Sequence, residues 1–476
     1  MKISSLGFSK KTSKPSISPI PINDFLKPLV EGLKKNIEGI GKITPPKTGF
    51  RALIQSNAPR QDDPYESGWT FLINEKDSAI GQEIIDVIQP LATYRKMDDV
   101  NSPLVFNNTP ENFWVEWISK YALLKKGRQM QPPKYILIIG SPNEIPFEFQ
   151  SMLSDVAFVG RLDFDDIKEL ETYTEKVKRM EKGNLVEKEV TFFATDHEIN
   201  ASGCYDPTHY NQSDIDTHLV PEINGLNFKP NKLLKNNATK KDLLDNLQKS
   251  KPCSVYASCW GVNASGETLD VQKQLTGSLC CQGDYSKGFD PNLVLTSQEI
   301  PDTPFLEGGL FFQQSSFSYG SPAISSLSHW VSDGENLGIP KQLAPTDFVA
   351  PLPKRLVYHK HGPLAFVGHL DELLAYGYAQ EETPGAERRE RIEPTRAALN
   401  DILKGRPIGY ALNQMTMRRS VLNTQISNNI NKVITAFLKA STDAARLKVA
   451  LPMSNLFLMR NEVKNYMIFG DPAVRL

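Results

Sequence analysis

Two segments of the chain carry residue types that could do nucleophilic chemistry. Val255-Tyr256-Ala257-Ser258-Cys259-Trp260-Gly261 is one; Phe311-Phe312-Gln313-Gln314-Ser315-Ser316-Phe317-Ser318-Tyr319-Gly320-Ser321-Pro322 is the other. Each is an apolar run that stops at small, polar or reactive residues. In open α/β sheets the working groups gather beyond the C-terminal ends of strands. A thiol at Cys259 or a hydroxyl at Ser316 would need a neighbouring base to become a nucleophile. The chain offers seven histidines: His197, His209, His218, His329, His359, His361 and His369. Of these His329, which follows the Ser316 run, is the candidate substitute base. The plainer reading of Cys259 is a small buried residue, because free cysteine is usually buried and inert.

Asp163, Asp165 and Asp166 form an acidic cluster after Gly160-Arg161. Carboxylates in a cleft could select a basic side chain on a substrate. They would equally suit the start of a helix expected from Ile167. Cys280 and Cys281 are adjacent, and no CxxC or HxH spacing lies nearby, so no zinc site is expected. Gly140-Ser-Pro-Asn is not followed by Gly-Lys-Ser, so nucleotide binding has no support. No cofactor is expected.

The elements that must position these residues read as alternating strands and helices. Apolar runs at Tyr135–Ile139, Val156–Val159, Val190–Ala194, Cys253–Ser258, Gly309–Gln313, Pro363–Val367 and Tyr466–Phe469 predict strands. Several lack alternation, which suits strands buried on both faces of a mostly parallel sheet. Helices are predicted over Ile167–Glu181 and Lys240–Lys249, and over a region from about Arg396 to Lys448 broken near Gly405-Arg406-Pro407. Asn200–Pro230 and Val262–Pro304 read as long polar loops. Glu381–Arg396, dense in Glu and Arg, reads as a solvated face. Residues 1–50 hold nine Lys against three acidic side chains, and read as a mobile basic arm followed by an amphipathic helix over Phe25–Ile40; partner docking is the sharper alternative.

Composition bounds the partners. The 476 residues carry 54 basic and 55 acidic side chains, a net charge of −1, so bulk charge gives no reason to bind nucleic acid or an anionic membrane. Apolar residues make up 40% and charged residues 23%, as in globular proteins. Five cysteines suit a reducing cytoplasm better than a disulfide framework. No targeting segment or membrane-spanning run is visible.

Six blocks, in order, resemble the bacterial caspase-like proteins of the CHAT and gingipain type, in the clan of cysteine peptidases that includes caspases. They are Tyr135-Ile-Leu-Ile-Ile-Gly140-Ser-Pro-Asn-Glu-Ile-Pro146-Phe-Glu-Phe-Gln150; Phe158-Val-Gly160-Arg161-Leu162-Asp-Phe164-Asp165; Tyr173; Gly277-Ser-Leu-Cys-Cys281-Gln282-Gly-Asp284; Gly362-Pro-Leu-Ala-Phe-Val-Gly368-His369; and Tyr466-Met-Ile-Phe-Gly470-Asp471-Pro472-Ala-Val-Arg-Leu476. The resemblance implies an α/β fold, a caspase-like α/β/α sandwich around a central mostly parallel sheet. It also implies a catalytic pair: His in Ala-Ser-His-Gly after one central strand and Cys in Ala-Cys-x-Gly-Ala-Gly-Thr-Pro after the next. Here Cys259 aligns with the histidine without a gap, or Trp260 with one insertion, and Ser316 aligns with the cysteine. Both members are replaced. Loss of one member of a comparable triad removes about 10⁴–10⁶ in rate, and the losses do not add.

The domains expected are a basic arm (1–50), an N-terminal α/β extension (51–133) and a caspase-like domain with a helical C-terminal part (134–476). The expected function is a catalytically silent, cytoplasmic pseudopeptidase that binds a protein or peptide partner, within a bacterial defence or cell-death module as the resemblance implies. Cys259 and Ser316 are its dyad-equivalent positions, with Trp260, Ser315, Asp163 and Asp165 lining the cleft. Three alternatives stand beside it. One is an active endopeptidase with a Ser316 or Cys259 nucleophile, one an engineered Cys-to-Ser trap, and one a structural subunit whose cleft is filled.

Overall fold

Continuous apolar runs bury both of their faces, and in this chain they do so in one large sheet. The computed structural model describes residues 2–3, 5–17, 20–21, 60–123, 131–182, 187–197, 207–249, 252–327, 342–374 and 385–476. The strands of the central sheet are β1 Trp69–Ile73, β2 Leu104–Val105, β3 Tyr135–Ile139, β4 Phe158–Leu162, β5 Glu187–Ala194, β6 Lys229–Leu234, β7 Pro252–Ser258, β8 Leu310–Gln314, β9 Ala365–His369 and β10 Tyr466–Gly470. Their spatial order is β6-β5-β7-β8-β9-β10-β4-β3-β1-β2. Every neighbouring pair is parallel except β9 and β10. The sheet is therefore two parallel halves of five strands running in opposite directions, joined at β10. The protein is a mixed α/β fold with a large, mostly parallel central sheet.

Alternation along β1 and β3 sends side chains into two separate cores, which is what a helix layer on each face requires. Phe71, Ile73, Tyr135, Leu137 and Ile139 belong to one core with α1 (Ala79–Tyr94). Leu72, Ile136 and Ile138 belong to the other, with α2 (Phe147–Leu153) and the helix Trp114–Ala122. The 51–133 segment is thus continuous with the main body, since it supplies β1 and β2 to the same sheet.

Helix α3 spans Ile167–Met180, and Asp166 caps it in a capping box with Glu169. Then come α4 (Lys240–Lys249), α5 (Pro351–Tyr358), α6 (Gly385–Leu403), α7 (Ile408–Lys439) and α8 (Asp443–Lys464). The expected loop over Asn200–Pro230 is corrected: its described part is mostly helical from Pro207 to Gly225, with buried Ile215, Leu219 and Ile223 spaced by four on one face. The Val262–Pro304 stretch is not plain loop either. It contributes to a second sheet, ordered Val294–Leu295, Leu279–Cys280, Trp260–Asn263, Gly7–Ser9 and Lys14–Pro15.

That sheet corrects the free-arm expectation. Leu6, Phe8 and Ile17 are buried, and Gly7–Ser9 pairs in parallel with Trp260–Asn263. Three apolar side chains among polar neighbours give the segment enough burial to be held. The helix expected over Phe25–Ile40 lies outside the described residues.

Candidate functional site

Strands β7 and β8 are adjacent and parallel, so Cys259 and Ser316 follow neighbouring strand ends on one edge of the sheet. Both residues are fully buried. Burial pushes the Cys259 thiol well above its usual range, the reverse of what a nucleophilic thiol needs. Cys259 lies in the main core with Cys281, Leu279 and Ala257, the space-filling role read from its type.

The turn after β8 uses its hydroxyls on itself. Ser318 Oγ donates to the Gln313 and Ser315 carbonyls and accepts from the His369 amide at 2.8 Å, and Ser315 Oγ accepts from Gln313 Nε2 at 2.7 Å. Ser316 Oγ accepts from the Leu373 amide at 2.9 Å. Phe317 and Asp371, hydrogen-bonded to each other through the Phe317 amide at 2.8 Å, have φ of 59° and 69°. Such left-handed conformations in residues with a Cβ cost of order 1–3 kcal/mol each and persist only where the surroundings impose them. The Asp371 carboxylate does so here, accepting from the Ser326 amide at 2.6 Å and from the Ser325 and Ser326 hydroxyls.

Between the two strand ends runs the chain's own N-terminal segment. The Leu6 carbonyl accepts two backbone amides at once, Gly261 N at 2.8 Å and Ser316 N at 3.2 Å. On its other side the Leu6 amide donates to the Leu373 carbonyl at 2.9 Å, and Ser5 bridges Leu374 antiparallel. Gly7 is crowded by contact rather than strained by torsion: a Cβ there would stand 2.4 Å from Glu372 Oε1 and 2.7 Å from Ser16 Oγ. Phe8 stacks on Trp260 at 5.2 Å between ring centroids, and His197 stacks on the indole at 3.9 Å. Tyr285 closes the cluster.

Glu372 faces the same point. Burial raises its carboxyl to about 8, with Asp371 adding to the rise and the hydroxyls of Ser5, Ser16 and Ser316 partly offsetting it. Two imidazoles are deeply buried in the neighbourhood, and neither serves Ser316 or Cys259. His197 is lowered to about 3 by burial; the Cys280 backbone approaches its ring without hydrogen-bond geometry. His369 is lowered to about 4 by burial and lies against the Asp371 and Glu462 carbonyls at 3.2 Å each. His329 lies outside the described residues.

The acidic residues expected in the cleft are not brought to it. β4 runs antiparallel to β7 and β8, so Asp163 and Asp165 leave the sheet at the opposite edge. Lys354 pairs with Asp165 at 2.8 Å and with Asp163 at 3.7 Å. Asp163, its carboxyl raised by burial, lines a cavity of about 460 Å³ with Glu75 and Glu144 past the ends of β1 and β3. Strand polarity causes the discrepancy, and no residue type signals it. Trp260 and Ser315 follow the ends of β7 and β8, and both are buried. Leu6, Gly7, Phe8, Gly261 and Glu372 were missed. The first three sit in a segment of ordinary polar composition, and their partners on the strand ends, such as Trp260, Gly261 and Ser316, lie more than 250 residues away, so no local signal marks them.

Comparison with known proteins adds likenesses of fold. No protein-family model matches the chain, and no curated protein matches it significantly. Among solved structures, it is similar to the Arg-specific cysteine proteinase gingipain R (RgpB), with 10% identity over 89% of this chain and 80% of that one and a TM-score of 0.47. It is similar to the complex of Porphyromonas gingivalis RgpB pro- and mature domains, with 10% identity, 86% and 80% coverage and a TM-score of 0.46. A structure described as a protease gives 9% identity, 86% and 78% coverage and a TM-score of 0.48. These likenesses concern the fold alone.

Proposed function

We propose that this chain is a catalytically silent, peptidase-derived protein that works by binding a protein or peptide. The observation that carries the reading is the burial of both dyad-equivalent positions, Ser316 against the chain's own Leu6 and Gly7 and Cys259 within the main core. Among the described residues no imidazole hydrogen-bonds to either, and the Glu372 carboxyl beside Ser316 is held protonated at neutral pH by burial, so the hydroxyl lacks a working base. The resemblance read from the sequence supplies the peptidase ancestry and suggests a bacterial defence or cell-death setting and a cytoplasmic location. No helix of the described residues is long and apolar enough to cross a membrane.

The test is turnover. The full chain, incubated with a mixture of peptides covering all residue pairs and separately on its own, is expected to give no cleavage product by mass spectrometry over a day. Cleavage that disappears in Ser316→Ala or Cys259→Ala would overturn the reading.

A further inference from the structure

We propose that the cleft past β7 and β8 is a binding site for an extended peptide with the pattern apolar–Gly–aromatic, and that Leu6-Gly7-Phe8 is its resident occupant. Three observations converge on this. First, the Gly261 and Ser316 amides come from two different strand ends, yet both point at the single carbonyl oxygen of Leu6. A regular ladder gives each carbonyl one amide partner; two preorganised amides aimed at one oxygen form a carbonyl-recognition device. Second, the segment runs as an added strand would: Gly7–Ser9 pair in parallel with Trp260–Asn263, Ser5 and Leu6 are bound on the other side by Leu374 and Leu373, and Lys14–Pro15 of the same N-terminal segment pair the outer edge of Phe8 and Ser9. Third, the side-chain positions are selective. The central residue is crowded: a Cβ there would meet Glu372 Oε1 and Ser316 Cβ of the site, besides Ser16 Oγ of the segment itself, so glycine fits best. The next residue packs among the rings of Trp260 and Tyr285, and His197 also stacks on the indole. Leu6 is buried in the same apolar cluster as Leu373, Val262 and Trp260.

The site therefore reads backbone, one small residue and one ring, a set that a segment supplied by another protein could present equally well. The inference deepens the proposed reading by naming the ligand class, and it rests on that reading only for where the cleft lies.

The test uses the full chain and a fluorescent peptide copying Ile3 to Thr12. Gly7→Leu, which expels the resident segment, is expected to bind the peptide saturably at one to one by fluorescence anisotropy. The native chain, with its site filled, is expected to bind at least tenfold more weakly. The same peptide carrying Leu in place of its glycine should lose at least tenfold in affinity for the variant. So should a peptide with a trans-alkene in place of the Leu6–Gly7 amide, because it lacks the doubly bonded carbonyl oxygen. If Gly7→Leu does not melt cooperatively, Phe8→Ala, which removes the ring without a clash, takes its place. A folded variant that fails to bind the native peptide, or that binds the alkene peptide equally well, would overturn the site. Peptide hydrolysis in the same assay would overturn catalytic silence instead, so the two failures are distinct.

Discussion

At the scale of single residues, Glu372 carries the clearest consequence. Its carboxyl is raised from an ordinary value of 4.5 to about 8, chiefly by burial. The folded chain therefore keeps this proton over a range in which the unfolded chain has released it, so stability falls as pH rises from about 4.5 to about 8. The slope from this one group is at most about 1.4 kcal/mol per pH unit. Glu372→Gln should flatten that loss: between pH 5 and 8.5 the unfolding free energy of the native chain should fall more than that of the variant. Parallel pH profiles of the two chains, measured in urea, would count against a protonated Glu372. Asp347, raised to about 6 by burial, titrates in both chains and cancels in the difference.

Among the elements, the contact of β4 with β10 seats the strand through which the two half-sheets join. A Cβ on Gly160 would stand 2.1 Å from the Gly470 carbonyl oxygen and 2.9 Å from Pro472 Cδ. Gly160→Ala is thus expected to destabilise by about 1–3 kcal/mol, the usual cost of overpacking, seen as a lower urea midpoint. An unchanged midpoint would mean that β10 can move aside at no cost. This junction also shows what sequence could and could not convey. Tyr135–Ile139 was legible as a strand because burial on both faces leaves a continuous apolar run. β6, Lys-Pro-Asn-Lys-Leu-Leu on the edge and partly exposed, has no such run. The ends of β7 and β8 were legible as strand ends, since small and reactive residues stop an apolar run there. The reversal of direction between β9 and β10 was not, because a parallel and an antiparallel buried strand have the same side-chain pattern. That reversal is what carried Asp163 and Asp165 to the wrong edge.

For the molecule as a whole, a buried charge cluster ties distant parts together. Arg95 at the end of α1 donates from Nε to Asp471 Oδ2 at 2.8 Å and from its two Nη atoms to Glu181 at 2.7 and 2.9 Å. Trp69 Nε1 on β1 donates to Asp471 Oδ1 at 2.9 Å. Arg95→Met leaves two carboxylates buried without their partner, which typically costs about 3–5 kcal/mol. A midpoint shift equivalent to less than about 1 kcal/mol, at the native urea slope, would show that water reaches the carboxylates instead.

The placement of β10 has a consequence for how the chain is made. It follows every other strand of the central sheet in sequence, yet it is sixth of ten in space. During synthesis the inner edges of β4 and β9 both wait for it, each a row of unpaired amides and carbonyls open to other chains. The nascent protein is two half-sheets with sticky facing borders, and it becomes one sheet only when Tyr466–Gly470 leaves the ribosome.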